Sequence, residues 1–231
     1  MMTETEWLNA TTFNGLVDRI RITASERKLR LLGCACCWRL RDDLPYGCAE
    51  RIVAAEQFAD GIISEPEYLA RFTVASQMRN EPGSVRGAAR LAVNSLHDSS
   101  ATGVMQTSLS TASVRALVHC KWQFGKSYHL GQHTIRFGNL VAREQSQQCA
   151  LLRDIFGNPF RATPFSSLWL TSAAASLAAQ MYESKDFSAM PILGDALQDA
   201  ACDNADILSH CRESGVHVRG CWVVDLVLGK E

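Results

Sequence analysis

The chain has 231 residues, 47 % hydrophobic and 20 % charged, with a formal net charge of −1. That length and balance suffice for a sizeable core, in one large domain or two small ones, and exclude wholesale disorder. The near-neutral charge argues against a dedicated nucleic-acid binder, and no apolar run approaches the ~18 residues of a membrane span.

The N-terminus has neither a basic leader nor an apolar centre, so a secretory signal is not expected. Nine cysteines without an export signal point to a reducing compartment, and the expected location is the cytoplasm. Nine is odd, so a complete disulfide set cannot form. Most of these thiols are expected to serve as small core hydrophobes.

Helical periodicity dominates in chain order. Thr23 with Glu26 reads as a capping box opening a helix over 26–41, which Asp42, Asp43 and Pro45 close. Leu29, Leu32, Gly33, Cys36 and Leu40 fall on one apolar stripe of that helix, and Leu31 with Trp38 on a second. Two stripes predict a rod sandwiched in the interior. Cys34 falls between Arg30 and Arg41, on the most basic edge.

A second helix fits 48–60, with Gly61 as its stop, and Ser64 starts a third with Leu69, Phe72 and Met78 facing inward. Residues 84–97 read as an alanine-rich fourth. The small, polar stretch 98–112 is the expected linker and lobe boundary of an otherwise single domain. Helices are then expected over 113–122 and 139–156, with 125–138 irregular between them. Gly157, Asn158 and Pro159 end the latter sharply. Thr171 caps a helix to about 183, and 190–201 with 203–211 form a tight pair, the second capped by Asp203. Valine-rich 221–228 is favoured as a short buried helix over a strand, because no partner strand is credible. The expected fold is all-α, an irregular bundle of eight or nine short helices, with an irregular solenoid-like stack as a variant.

Three segments together resemble a family of uncharacterised bacterial proteins: ERKLRLLGCACCWRLRDDL (26–44), LLRDIFGNPFRATPFSSLWL (151–170) and DILSHCRESGVHVRGCWVVDLVLGKE (206–231). Glu6-Trp7-Leu8 and AAEQFADG (54–61) also fit. The resemblance covers both ends of the chain. It brings no known activity, hence no catalytic residue to transfer.

Few constellations suggest chemistry. Cys34-x-x-Cys37 could hold zinc, completed by His210-Cys211 or by His217 and Cys221. Zinc pairs usually sit in tight knuckles, however, whereas this pair lies mid-helix, and no second C-x-x-C is present. The same Cys34 and Cys37 could form a redox-sensing site favoured by Arg27, Arg30 and Arg41. Arg19, Arg21, Arg27, Lys28, Arg30, Arg39 and Arg41 could bind nucleic acid beside Trp38; the plainer reading pairs them with Asp18, Glu26, Asp42 and Asp43.

His119, Cys120, His129 and His133 cluster in the middle, but no nucleophile-elbow, Walker or dinucleotide pattern is present, so no catalytic residue is assigned. Arg161, in the turn after 156, could face a partner. Asp225, in apolar surroundings, is expected to pair with Arg219 or with an arginine of the 27–41 helix. The leading expectation is a non-catalytic protein-interaction or regulatory module of unidentified partner, needing no cofactor. A zinc- or thiol-dependent site and an accessory nucleic-acid binder stand as alternatives.

Overall fold

A computed structural model describes residues 2–74, 89, 92–97, 100–124 and 134–230. The described residues contain no strand and these α-helices, besides helical residues at 89 and 92–94: α1 Glu4–Asn9, α2 Phe13–Ile20, α3 Glu26–Trp38, α4 Cys48–Ala59, α5 Glu65–Val74, α6 Ala101–Phe124, α7 Thr134–Phe156, α8 Ser172–Ser184, α9 Met190–Asp199, α10 Ala205–Arg212 and α11 Trp222–Leu228. The all-α class is as expected; the number and length of helices are not. α2, absent from the expected elements, has a plain inward stripe of Phe13, Leu16, Val17 and Ile20, and α6 and α7 run for 24 and 23 residues. Among the described residues no helix is long and apolar enough to cross a membrane. The chain divides into two compact units, residues 1–149 and 150–231.

In the first unit α3 packs against α4 and α6. Every residue from Leu29 to Cys37 is buried, so the rod lies in the interior as its two stripes require. Its cap is Ser25, whose hydroxyl accepts the Lys28 amide at 3.3 Å. Thr23 instead donates to the Ile20 carbonyl at 3.3 Å, closing the preceding turn, so the expected capping box does not form. Gly33 lets the helix approach its neighbour closely: a Cβ there would stand 2.8 Å from Leu96 Cδ2.

The basic edge of α3 is engaged internally. Arg27 pairs with Asp60 at 3.0 Å. Arg39 pairs with Glu144, its Nη2 2.9 Å from Oε2. The Arg30 guanidinium lies over the rings of Phe58 and Tyr68, at 4.7 and 5.1 Å, and donates to the Leu96 carbonyl at 3.1 Å. A desolvated guanidinium held by two π faces and a carbonyl is well satisfied. Tyr68 is fully buried and Leu69 packs partly buried against the same core; the Phe72 side chain and all of Met78 lie outside the described residues, as does half of 84–97.

The expected linker at 98–112 is instead largely helix, residues 101–112 forming the first half of α6. Small polar residues misled the expectation because they are buried and bonded. Thr107 Oγ1 donates to the Gly103 carbonyl at 2.9 Å, and Thr111 Oγ1 to the Thr107 carbonyl at 3.0 Å. Ser108 donates to Gln148, whose Nε2 donates to Thr111 Oγ1 at 2.7 Å. Hydroxyls bonded back along their own helix satisfy themselves without breaking it.

The second unit gathers α8 to α11 and the end of α7 around Ala178, Met181, Tyr182, Leu193, Leu197, Ile207, Val223, Val224 and Val227. Thr171 caps α8 by accepting the Ala174 amide at 3.2 Å, as expected. Asn204 rather than Asp203 caps α10, its side chain accepting the amides of Asp206 and Ile207. Residues 222–228 are helical, because burying three valines against the core outweighs their strand preference. Gly229, at φ 63°, closes that helix in the left-handed region. Asp225 is buried within it at 1 % exposure, and Arg219 lies over the Tyr182 ring at 4.5 Å.

Candidate metal centre

Four side chains of the second unit turn their donor atoms towards one point. Asp154 comes from the last turns of α7, His210 from the end of α10, His217 from the loop that follows, and Cys221 from the position just before α11. The four ligand atoms lie within 4.8 Å of one another.

The distances define the arrangement. Asp154 Oδ1 is 2.7 Å from His217 Nδ1 and 3.1 Å from His210 Nε2. Cys221 Sγ is 3.2 Å from His210 Nε2 and 4.0 Å from His217 Nδ1. A tetrahedral zinc ion with arms of about 2.0–2.3 Å places its ligands about 3.3–3.8 Å apart. The cluster's edges bracket that spacing, contracted along the carboxylate–imidazole edges and stretched to between 4.0 and 4.8 Å at the longest.

Local structure holds each ligand. The Val218 amide donates to Asp154 Oδ2 at 2.9 Å, which ties one carboxylate oxygen to backbone and leaves Oδ1 facing the cluster. Gly157, at φ 63°, turns the chain just after Asp154. The rings of His210 and His217 meet edge to face, centroids 4.9 Å apart. His217 presents Nδ1, while its Nε2 is buried without a hydrogen-bond partner.

Burial sets the electrostatics. Burial alone would push Asp154 up, but the hydrogen bonds from His210 and His217, with their charge, outweigh it and hold the carboxyl below its ordinary value. Burial, then the Asp154 charge, pushes the Cys221 thiol well above its usual range. Without a cation nearby the sulfur keeps its proton; a metal ion would displace it, as it does for any coordinating thiol.

The same atoms could be mistaken for a Cys–His–Asp triad, but the connectivity is wrong. A triad histidine uses one ring nitrogen for the nucleophile and the other for the acid. Here His210 Nε2 alone faces both Asp154 and Cys221, and His217 likewise offers a single nitrogen, Nδ1. The donors converge; they do not form a relay.

The residues singled out from sequence fare unevenly. His217 and Cys221 join the cluster, and so does His210 from the alternative pair. Cys34 and Cys37 do not: they lie in the first unit, where their thiols donate to the carbonyls of Ile52 and Ala92 at 3.8 and 3.6 Å. Cys34 is 1 % exposed, so its expected place on a basic edge is corrected to the core. Burial, then the neighbouring thiols, pushes Cys37 well above its ordinary value. Cys211 faces Gly194 rather than the cluster.

Arg161 forms an ion pair with Asp206 at 2.9 Å, and Arg41 is exposed in a short turn after α3. His129 and His133 lie outside the described residues, and His119 and Cys120 are described only as part of α6. Asp154, the ligand sequence reasoning missed, had no local signal. The spacing His210-x₆-His217-x₃-Cys221 did carry one, three soft or borderline donors within a dozen residues. Comparison with known proteins finds no match, whether to a family model, a curated protein or a solved structure.

Proposed function

We propose that this protein is a non-catalytic helical module whose second unit is held together by one zinc ion, bound by Asp154, His210, His217 and Cys221. The observation that carries this reading is convergence. One oxygen, two imidazole nitrogens and one sulfur, from the end of α7 and from the 210–221 segment, meet within 4.8 Å of one another. Two imidazoles and a thiol suit zinc far better than the oxygen-seeking calcium or magnesium.

Four protein ligands also fill a tetrahedron, and structural zinc sites are closed in this way, whereas catalytic ones keep a position for water. Burial agrees with closure. The side chains of Asp154 and His217 are 4 and 8 % exposed and that of His210 16 %. The nucleic-acid alternative is weakened because Arg27, Arg30 and Arg39 are engaged within the first unit. The thiol-sensor alternative is weakened by the burial of Cys34 and Cys37.

Metal analysis of the purified chain, followed by zinc titration of chelator-treated protein, tests the reading. The expected result is one zinc per chain, lost in Asp154→Ala and His217→Ala. A chain that takes up no zinc in either measurement would reduce the cluster to a carboxylate accepting hydrogen bonds from two histidines.

A further inference from the structure

Trp222 lies against both stretches that carry the cluster. Its backbone directly follows Cys221. Its indole faces His210, ring centroids 5.1 Å apart and planes tilted by 51°. Its Cγ and Cδ2 lie against Gly157, three residues after Asp154: a Cβ added there would stand 3.3 Å from both atoms. The indole is thus a wedge between the turn that ends α7 and the imidazole at the end of α10.

An imidazole attached through two rotatable bonds needs something to fix its plane before its nitrogen can aim at a shared point. Metal-bound histidines usually get this from a hydrogen bond to the other ring nitrogen, and such outer partners tune affinity and geometry. We infer that Trp222 does this work by packing, so that it is the positioning residue that turns His210 Nε2 towards Asp154 and Cys221. The absence of a side chain at Gly157 is what lets the indole reach its place.

This inference rests on the metal reading above, and its test separates the two. Cobalt(II) is the probe, because its ligand-field bands report coordination geometry directly, and zinc affinity is measured by competition. Trp222→Ala is expected to weaken zinc binding by about 10–100-fold and to alter the cobalt bands, with Trp222→Phe restoring both to near the parent values. Gly157→Asn tolerates the left-handed backbone yet adds a Cβ that displaces the indole; it is expected to alter the bands in the same sense with a smaller loss of affinity.

A purely architectural Trp222 would lower the stability of metal-free and metal-loaded protein alike and leave affinity and bands unchanged. That outcome overturns the inference while the metal reading stands. If Trp222→Ala fails to fold, unchanged cobalt bands in Gly157→Asn overturn it equally. A parent chain that binds neither ion overturns the metal reading itself, and the inference with it.

Discussion

A thiol attacks as its thiolate and only where a reagent can reach it, and the cysteines of α3 satisfy neither condition. Cys34 is 1 % exposed with its sulfur donating to the Ile52 carbonyl, and burial raises Cys36 and Cys37. Native protein at pH 7.5 is therefore expected to leave these three thiols unlabelled by a thiol-specific chromogenic reagent, with labelling appearing only under denaturant. Fast labelling of Cys34 in the folded protein would show that α3 is less enclosed than described. Helical angle sets Cys34 between Arg30 and Arg41, but α3 ends at Trp38 and Arg41 stands exposed in the turn beyond it. What the pattern could not show is that Arg30 is drawn inward, buried between Phe58 and Tyr68. An arginine marks a surface only if nothing inside can receive its guanidinium.

Helix-to-helix spacing gives the sharpest predictions at the scale of elements. Replacing a mid-helix glycine with alanine favours the helix by about 1 kcal/mol where there is room. Gly138, near the start of α7, has open space around an added Cβ, so Gly138→Ala is expected to raise stability by about 0.5–1 kcal/mol in urea unfolding. Gly194, inside α9, has none: the new Cβ would stand 2.9 Å from Cys211 Cβ, an atom fixed to the α10 backbone. Overpacking of that kind costs about 1–3 kcal/mol and outweighs propensity, so Gly194→Ala is expected to lose about 1–2 kcal/mol.

The same urea measurements that separate these signs also check the interface of α9 with α10. On valine content α11 stood between helix and strand, while elements with plain caps or stops, such as α4 and α8, were legible in sequence. The first half of α6 was not, because Thr107, Ser108 and Thr111 look like loop residues until Gln148, thirty-seven residues beyond Thr111, is there to bond them.

Buried thiols and the Tyr68 phenol give the whole molecule a pH dependence with a definite sign. Burial raises Cys36 and Cys37, pushes Cys211 up to about 12 and Tyr68 up to about 12. Below the unfolded-state value of ~8.5 a thiol is neutral in both states, and its contribution to stability is fully present. As pH rises from there towards the folded-state value, the unfolded chain ionises and the native chain does not. Each such thiol then removes about 1.4 kcal/mol per pH unit. The urea midpoint should stay level between pH 7 and 8 and fall steadily between pH 9 and 11; a level midpoint over that alkaline range would contradict the burial described.

The site was half legible at this scale. His210, His217 and Cys221 lie close in sequence, but the motif that looked most like zinc chemistry, Cys34-x-x-Cys37, points its sulfurs at two different carbonyls. Only the packing of α7 beside the 210–221 segment brings Asp154 to them. Zinc that binds the folded chain alone stabilises it by about 4 kcal/mol when free metal exceeds Kd a thousandfold. Unfolding of chelator-treated protein, followed in urea with and without added zinc, is the direct measurement. A zinc-dependent rise of several kcal/mol, absent in His217→Ala, is the predicted result, and superimposable curves with and without zinc would contradict the account.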